Sequence, residues 1–190
     1  MTITLSIAHN RILVRAPYGM REGLKALPGA RWAPNASAWH YPATPSAAAM
    51  LCGLGVEMKV DDDVLALADS FANAAAVKQA DGFEPIPLTK TVPWRHQLRA
   101  YHFAKALPAC YLALGLGSGK SKVVVDLAVN LGWRRTLIVC PKSVVPVWPR
   151  QFTLHGGAYV QVLALDSGSV ASRQREAKWA WGSPHPIAFV

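Results

Sequence analysis

Residues 112–132 read LALGLGSGKSKVVVDLAVNLG and contain the most informative pattern in this 190-residue chain. An apolar run is followed by three closely spaced glycines, then by a lysine and a serine, then by apolar residues at helical spacing. Glycines have no Cβ atom and adopt positive φ angles readily, so successive backbone N–H groups can turn towards one anion. The helix that follows adds unpaired N–H groups and partial positive charge at its first turn. The pattern predicts a phosphate-binding loop between a buried strand and a helix.

The residue types in this loop predict ATP, carried with Mg²⁺, as its ligand. We expect Lys120 to reach the β- and γ-phosphates and the Ser121 hydroxyl to bind Mg²⁺, so both are candidate catalytic residues. The strict form of the pattern has a glycine five residues before Gly119, where this chain has Leu114. The residues expected to contact the nucleotide are Gly115, Leu116, Gly117, Ser118, Gly119, Lys120 and Ser121.

The basic residues fall in two blocks that together give a formal net charge of +9. Residues 1–60 have 6 basic and 2 acidic side chains, residues 61–90 have 2 and 6, and residues 91–190 have 12 and 3. Two basic blocks around an acidic segment favour a polyanionic partner, of which nucleic acid is the commonest. Charge alone does not distinguish such a partner from a protein that is merely basic.

Several classes of protein and site do not fit the sequence. No apolar run is long enough for a transmembrane helix, and the first residues do not match a secretory signal. We therefore expect a cytoplasmic, nucleoid-associated or nuclear protein that is not secreted and has no membrane partner. The three cysteines are far apart and no pair of Cys or His has zinc spacing, so we expect neither a disulfide nor a protein-bound metal other than that of Mg-ATP.

The pattern along the chain predicts an α/β protein in three zones. Residues 1–60 predict a small α+β module with two hairpins, and residues 61–91 predict an acidic helical connector followed by a proline-rich extended linker. Residues 92–190 alternate helix and strand, which predicts part of a parallel sheet with crossover helices. The four strands expected in the third zone cover residues 109–114, 136–140, 159–165 and 186–190.

Three motifs in residues 92–190 resemble, in the same order, those of superfamily-two DNA helicases and translocases of the Swi/Snf type. Gln97 precedes the loop at the head of an amphipathic helix, as the adenine-recognising glutamine does in that superfamily, and an amide supplies both the donor and the acceptor for adenine. Residues 136–152, TLIVCPKSVVPVWPRQF, are similar to the segment that contacts the DNA backbone in that family, which implies DNA contacts for Lys142 and Ser143. The resemblance implies the N-terminal part of a RecA-like ATP-binding lobe.

Residues 11–42, RILVRAPYGMREGLKALPGARWAPNASAWHYP, resemble the HARP (HepA-related) module that precedes the motor in annealing helicases. The resemblance implies that residues 1–60 bind DNA at forks or single-strand/double-strand junctions. The paired tryptophans Trp32 and Trp39 have an alternative interpretation as the core of a small domain. The residues that the resemblance implies as nucleic-acid contacts are Arg15, Arg21, Lys25, Arg31 and Trp39.

Together these resemblances imply the ATP-binding N-terminal portion of an ATP-dependent DNA translocase or annealing helicase. Hydrolysis in that family requires an Asp-Glu pair after a later strand and a second motor lobe, and the 190 residues contain neither. We therefore expect a fragment that binds ATP and DNA without turning over ATP, the missing lobe belonging to the parent protein. Two alternatives stay open: another P-loop NTPase of the AAA or recombination type, and a non-catalytic DNA-binding protein with a vestigial motor.

Overall fold

The computed structural model describes residues 2–157 and 159–190, which form a mixed α/β protein of two units. The first unit comprises the chain up to Gln79 together with Ala106–Ala109. The second unit comprises Ala80–Lys105 and Cys110–Val190. Among the described residues, no helix is both long enough and apolar enough to cross a membrane.

A five-stranded mixed sheet forms the centre of the first unit. Its order is β3-β4-β2-β1-β5, in which β5 pairs parallel to β1 and the other pairs are antiparallel. The two predicted hairpins, β1–β2 and β3–β4, are confirmed, and both residues of the first turn, His9 and Asn10, have positive φ. The strands are β1 (Ile3–Ala8), β2 (Arg11–Arg15), β3 (Arg31–Ala33), β4 (Ala38–Pro42) and β5 (Met58–Val60).

The described residues of the first unit also form three α-helices: α1 (Arg21–Ala26), α2 (Pro45–Cys52) and α3 (Asp62–Gln79). The hydroxyl of Thr44 accepts the Ala47 N–H at the start of α2, as expected for an N-cap followed by proline. Helix α3 packs along α2 and buries Val64 completely in the core of the unit. The helix that we expected to be a connector after residue 60 therefore belongs to the first unit, which continues to Gln79.

The core of the first unit follows the alternation of apolar and polar residues along its strands. Leu5, Ile12, Val14 and Tyr41 have no exposed surface, because they point to the same covered face of the sheet. The Tyr41 hydroxyl donates to the backbone oxygen of Leu24 at 2.6 Å and so joins α1 to the sheet. Burial raises the pKa of Tyr41 to about 12, so it remains a hydrogen-bond donor at neutral pH.

The second unit contains a three-stranded parallel sheet of order β6-β8-β7. Its helices are α4 (Arg95–Lys105), α5 (Lys120–Asn130), α6 (Val147–Gln151) and α7 (Val170–Trp181), and its strands are β6 (Arg135–Leu137), β7 (Gln161–Leu163) and β8 (Ile187–Phe189). All three residues of β8 are buried, as expected for the middle strand of a covered parallel sheet. The mixed α/β class is thus confirmed for the described residues.

The fourth strand, expected at residues 109–114, is not formed, and the prediction was wrong at that point. Cys110 and Tyr111 are exposed, whereas Leu112 and Leu114 pack beside Val123 and other residues of α4 and α5. An apolar run becomes a strand only where a neighbouring strand supplies hydrogen bonds, and no strand pairs with this segment in the described part of the chain. The run is nevertheless anchored just before the glycine loop.

The proline-rich stretch after α3 also differs from the extended linker expected there. Ile86 is buried in the core formed by α4 and α5. The side-chain amide of Asn130 bonds both backbone groups of Leu88, accepting from its N–H and donating to its oxygen, each at 2.8 Å. Residues 86–91, which we call the strap, therefore lie fixed against α5 within the second unit.

Candidate nucleotide-binding site

Two of the three glycines in the loop, Gly117 and Gly119, have the positive φ expected from the sequence, whereas Gly115 does not. Gly117 and Gly119 have φ angles of +73° and +81°, in the left-handed region that favours glycine. Gly119 is the N-cap of α5 and no side chain caps that helix end, so the N–H groups of its first turn receive no side-chain acceptor there. Leu116 is fully exposed, and the space beside Gly115 and Gly117 is open. An anion can therefore approach the loop from solvent.

Lys120 lies folded over the loop. Its ammonium group donates to the backbone oxygens of Leu114 at 2.8 Å and Gly115 at 2.9 Å. The hydroxyl of Ser118 also donates to the Gly115 oxygen at 2.8 Å. These bonds place a positive charge at the loop itself, where it complements a phosphate. Ser121 lies next to Lys120 in the first turn of α5 and is partly exposed.

Gln97 is brought to the loop, but its amide is engaged with the protein backbone. Its Nε2 donates to the Ser118 oxygen at 3.0 Å, and its Oε1 accepts the Trp94 N–H at 2.9 Å. His96 Nε2 lies 2.9 Å from the same Ser118 oxygen. In this arrangement the Gln97 amide holds the loop through the Ser118 oxygen. To contact adenine, it would have to give up its bonds to Ser118 and Trp94. The adenine contact stays a prediction.

A buried ion pair on α5 was not predicted from the sequence. Lys122 Nζ lies 2.8 Å from Asp126 Oδ2, and both side chains are at least nine-tenths buried. Lys122 also donates to the Thr89 hydroxyl of the strap at 2.9 Å. The sequence signal for this pair is a lysine and an aspartate four residues apart that flank three consecutive valines of α5. Lys122 follows Ser121 directly in the sequence, and together with Asp126 it joins the first turns of α5 to the strap.

A second contact holds the other end of the strap. The hydroxyl of Thr91 lies 2.6 Å from His155 Nδ1, and the Lys90 N–H donates to the backbone oxygen of His155 at 2.9 Å. Burial lowers the pKa of His155, the charge of Lys122 lowers it further, and Asp126 opposes them. His155 is therefore held in its neutral form at neutral pH.

The segment expected to contact the DNA backbone forms an exposed turn after β6. Lys142 and Ser143 lie in a single 3₁₀ turn and both are exposed. Trp148 and Phe152 that follow instead pack against α5, with Phe152 almost completely buried. The structure thus separates this segment into an accessible basic turn and an apolar part that packs against α5.

In the first unit, the four basic residues expected to contact nucleic acid are all exposed: Arg15, Arg21, Lys25 and Arg31. The tryptophans differ. Trp39 is only 8% exposed, whereas its neighbour Trp32 is 50% exposed, and their rings meet edge to face with centroids 5.5 Å apart. Trp39 therefore belongs to the core, and Trp32 is the accessible member of the pair. The alternation of residues along the strands does not predict this difference in exposure, because Trp32 and Trp39 are directly opposite each other on β3 and β4 and so lie on the same face of the sheet.

The comparisons with known proteins add no relative. No model of a protein family matches the chain, and no curated protein sequence matches it significantly.

Proposed function

We propose that this chain binds ATP with Mg²⁺ at residues 115–121, as the ATP-binding N-terminal portion of an ATP-dependent DNA translocase or annealing helicase with a RecA-like lobe. One observation supports the nucleotide site above all others: two glycines at positive φ lead directly into the open N-terminus of α5, with Lys120 folded over the same loop. Backbone N–H groups, the positive end of the helix dipole and an ammonium group therefore lie close together at the loop, where each attracts an anion. Such a combination suits the phosphates of a nucleotide.

Each residue of the loop has a separate task in this proposal. Loop N–H groups bind the phosphates, and Lys120 exchanges its two carbonyl partners for phosphate oxygens, which are stronger acceptors because they are charged. The partly exposed hydroxyl of Ser121 fits as a ligand for the magnesium ion that accompanies the nucleotide. Gln97 keeps the loop in shape through Ser118.

The acidic residues after the loop favour binding without steady hydrolysis. They are Asp126, Asp166 and Glu176. Asp126 is buried and paired with Lys122, so it is unavailable to hold magnesium or to orient a water molecule. Glu176 is exposed on the last helix, α7. Steady phosphate release by the pure protein, abolished in Lys120→Ala, would contradict this part of the proposal.

The nucleic-acid part of the proposal depends mainly on the second unit. That unit has 13 basic and 5 acidic residues, a net of +8, whereas the first unit has 7 and 6, a net of +1. The exposed Lys142–Ser143 turn presents a cation, a hydroxyl and backbone N–H groups together, which suits a phosphate of the DNA backbone. Lys142→Gln should weaken DNA binding similarly for all sequences and reduce its salt dependence, since one phosphate contact is lost.

The nucleotide site is tested by thermal unfolding of the full chain with and without Mg-ATP. A ligand that binds only the folded state stabilises it by about 2.7 kcal/mol at a concentration 100 times its Kd. We expect wild type to be stabilised, Lys120→Ala to lose the effect, and Lys105→Ala, a change at an exposed lysine of α4, to retain it. DNA binding without any ATP-dependent shift would instead favour a DNA-binding protein with a vestigial motor.

A further inference from the structure

The first unit has a pocket of about 490 Å³ beside strand β3. Its walls include three aromatic side chains, Tyr18, Trp32 and Trp39, together with the buried Leu24 and, where the pocket opens to solvent, the exposed Arg21. The volume lies within the range of about 300–1,000 Å³ typical of small-ligand sites. None of the pocket residues takes part in the loop described above, so the pocket has no task in binding ATP.

The aromatic residues of the pocket form a prepared surface. Buried Trp39 packs against Trp32 edge to face and thereby limits the movement of the more exposed ring. Tyr18 is 82% exposed, so that with the half-exposed Trp32 it gives the pocket lining two accessible aromatic side chains. Flat, accessible rings of this kind suit a flat aromatic ligand, since stacking uses the whole face of both partners.

A cation is built into the same site. The guanidinium carbon of Arg21 lies 5.8 Å from the centre of the Tyr18 ring, and its Nη1 donates to the Tyr18 hydroxyl at 3.4 Å. Arg21 is therefore held at the rim of the pocket. A ligand that combines an aromatic ring with a neighbouring anion fits both elements.

The distribution of charge over the sheet favours an anionic ligand on this side. Arg15 ends β2 directly before the pocket, and Arg31 directly precedes Trp32 on β3. The acidic run Asp61–Asp63 follows β5, which is the opposite edge of the sheet. Glu22 on α1 is the acidic residue nearest in sequence to Arg21. Although the first unit has a small net charge, its basic residues near the pocket and its acidic run after β5 thus lie towards opposite edges of the sheet.

We infer that this pocket binds one unpaired nucleobase of a single strand of nucleic acid, with the base against Trp32 and Tyr18 and an adjacent phosphate at Arg21. The inference extends the nucleic-acid part of the proposed function and is independent of ATP. A base inside a duplex keeps both faces stacked on its neighbours, so only an unpaired base can enter. An uncharged proline-rich peptide would use the aromatic walls but not the arginine.

The test is fluorescence anisotropy of the full chain with three labelled probes: a single-stranded oligodeoxythymidylate, a base-free strand of the same length, and a duplex. Wild type should bind the base-containing strand most tightly. Trp32→Ala should weaken that binding by roughly 5- to 150-fold, the effect of losing one stacked base, and leave binding of the base-free strand unchanged. Trp32→Phe should retain most of the affinity. Trp179→Ala, at a tryptophan of α7 that is 84% exposed, is the matched control and should change nothing.

Arg21→Gln should weaken binding of the base-containing and base-free strands by the same factor, because it removes a phosphate contact from both. Equal affinity of wild type for these two strands would overturn the inference while leaving the proposed function intact. Equal losses in Trp32→Ala and Trp179→Ala would overturn it too, as would a proline-rich peptide whose binding requires Trp32 while that of the strand does not. Failure to bind any strand would contradict the nucleic-acid part of the proposed function itself. The thermal shift with Mg-ATP should persist in Trp32→Ala and shows that this variant is folded.

Discussion

Gly119 is the residue at which the loop, α5 and Gln97 meet. Its φ of +81° is a conformation that side chains with a Cβ rarely adopt, and a Cβ there would clash with Gln97 Nε2. The shape of the loop therefore depends on this glycine twice, through its backbone and through the amide packed against it. Gly115, where added atoms would meet open space, has neither restriction.

Gly119→Ala should abolish the thermal stabilisation by Mg-ATP and destabilise the second unit by about 1–3 kcal/mol, because the strained backbone or the displaced Gln97 must be accommodated. Differential scanning fluorimetry with and without nucleotide measures both effects. Gly82→Ala is the control, since its Cβ meets nothing within 4 Å and its φ is not positive. Identical behaviour of the two variants would show that the loop geometry is unimportant for the ligand.

Among the described residues, Lys122 is one of two side chains of α5 that hydrogen-bond to the strap, the other being Asn130. Lys122→Met should destabilise the second unit by about 3–5 kcal/mol, since it leaves the Asp126 carboxylate buried without its partner. Urea unfolding measures the loss, and Lys178→Met, at an exposed lysine of α7, should change stability by less than about 0.5 kcal/mol. The double change Lys122→Met with Asp126→Leu should recover much of the loss. A double variant as unstable as the single one would argue against an ion pair as the cause.

Among the elements, the strap shows how a segment without regular structure is held in place. Its backbone bonds to Asn130, its Thr89 hydroxyl accepts from Lys122, and its Thr91 hydroxyl contacts His155. Polar contacts to α5 and to the segment around His155 thus replace the ladder of a strand or the turns of a helix. Composition suggests a linker here, because prolines prevent regular structure, yet prolines do not prevent packing.

The burial of His155, together with the nearby charge of Lys122, should make the second unit sensitive to acid. The pKa of His155 is lowered in the folded chain, so below its ordinary value of about 6.5 the unfolded chain binds a proton that the folded chain does not. Stability should therefore be fully present above that pH and fall as the pH decreases below it. His155→Asn should show a smaller fall in Tm between pH 7.5 and pH 5.5 than wild type. An equal fall in both proteins would assign the acid sensitivity to other groups.

At the scale of the whole molecule, each of the two units has its own sheet and its own buried apolar residues, in one cluster in the first unit and in three in the described part of the second. Thr44→Ala removes the cap of α2 and should lower the stability of the first unit by about 1 kcal/mol. Hydrogen exchange resolved by residue should show faster exchange in β1, β2 and α2 with unchanged exchange in α5. Thr44→Ser keeps the hydroxyl and should behave as wild type. Faster exchange throughout the chain would mean that the two cores unfold as one.

Local patterns predicted much of the fold and the backbone of the candidate site. The His9-Asn10 turn, the Thr44 cap with Pro45, and the glycines before α5 were all readable, because each depends on the conformational preferences of a few adjacent residues. The failure at residues 109–114 has the opposite cause. An apolar run contains no information about whether a partner strand is available, and here it packs through Leu112 and Leu114 instead.

The amino-acid sequence alone was thus enough to predict a glycine loop ahead of a helix and two hairpins in the first 60 residues, and it contains the net charge of +9. The loop and the hairpins follow from backbone preferences and side-chain types close together in the chain. Long-range packing was needed to place β8 between β6 and β7, to assign α3 to the first unit, and to bury Lys122 and Trp39 while leaving Trp32 accessible. Burial depends on which distant segments of the chain pack together. The free energy of those contacts is a property of the folded arrangement and cannot be inferred from any local stretch of sequence.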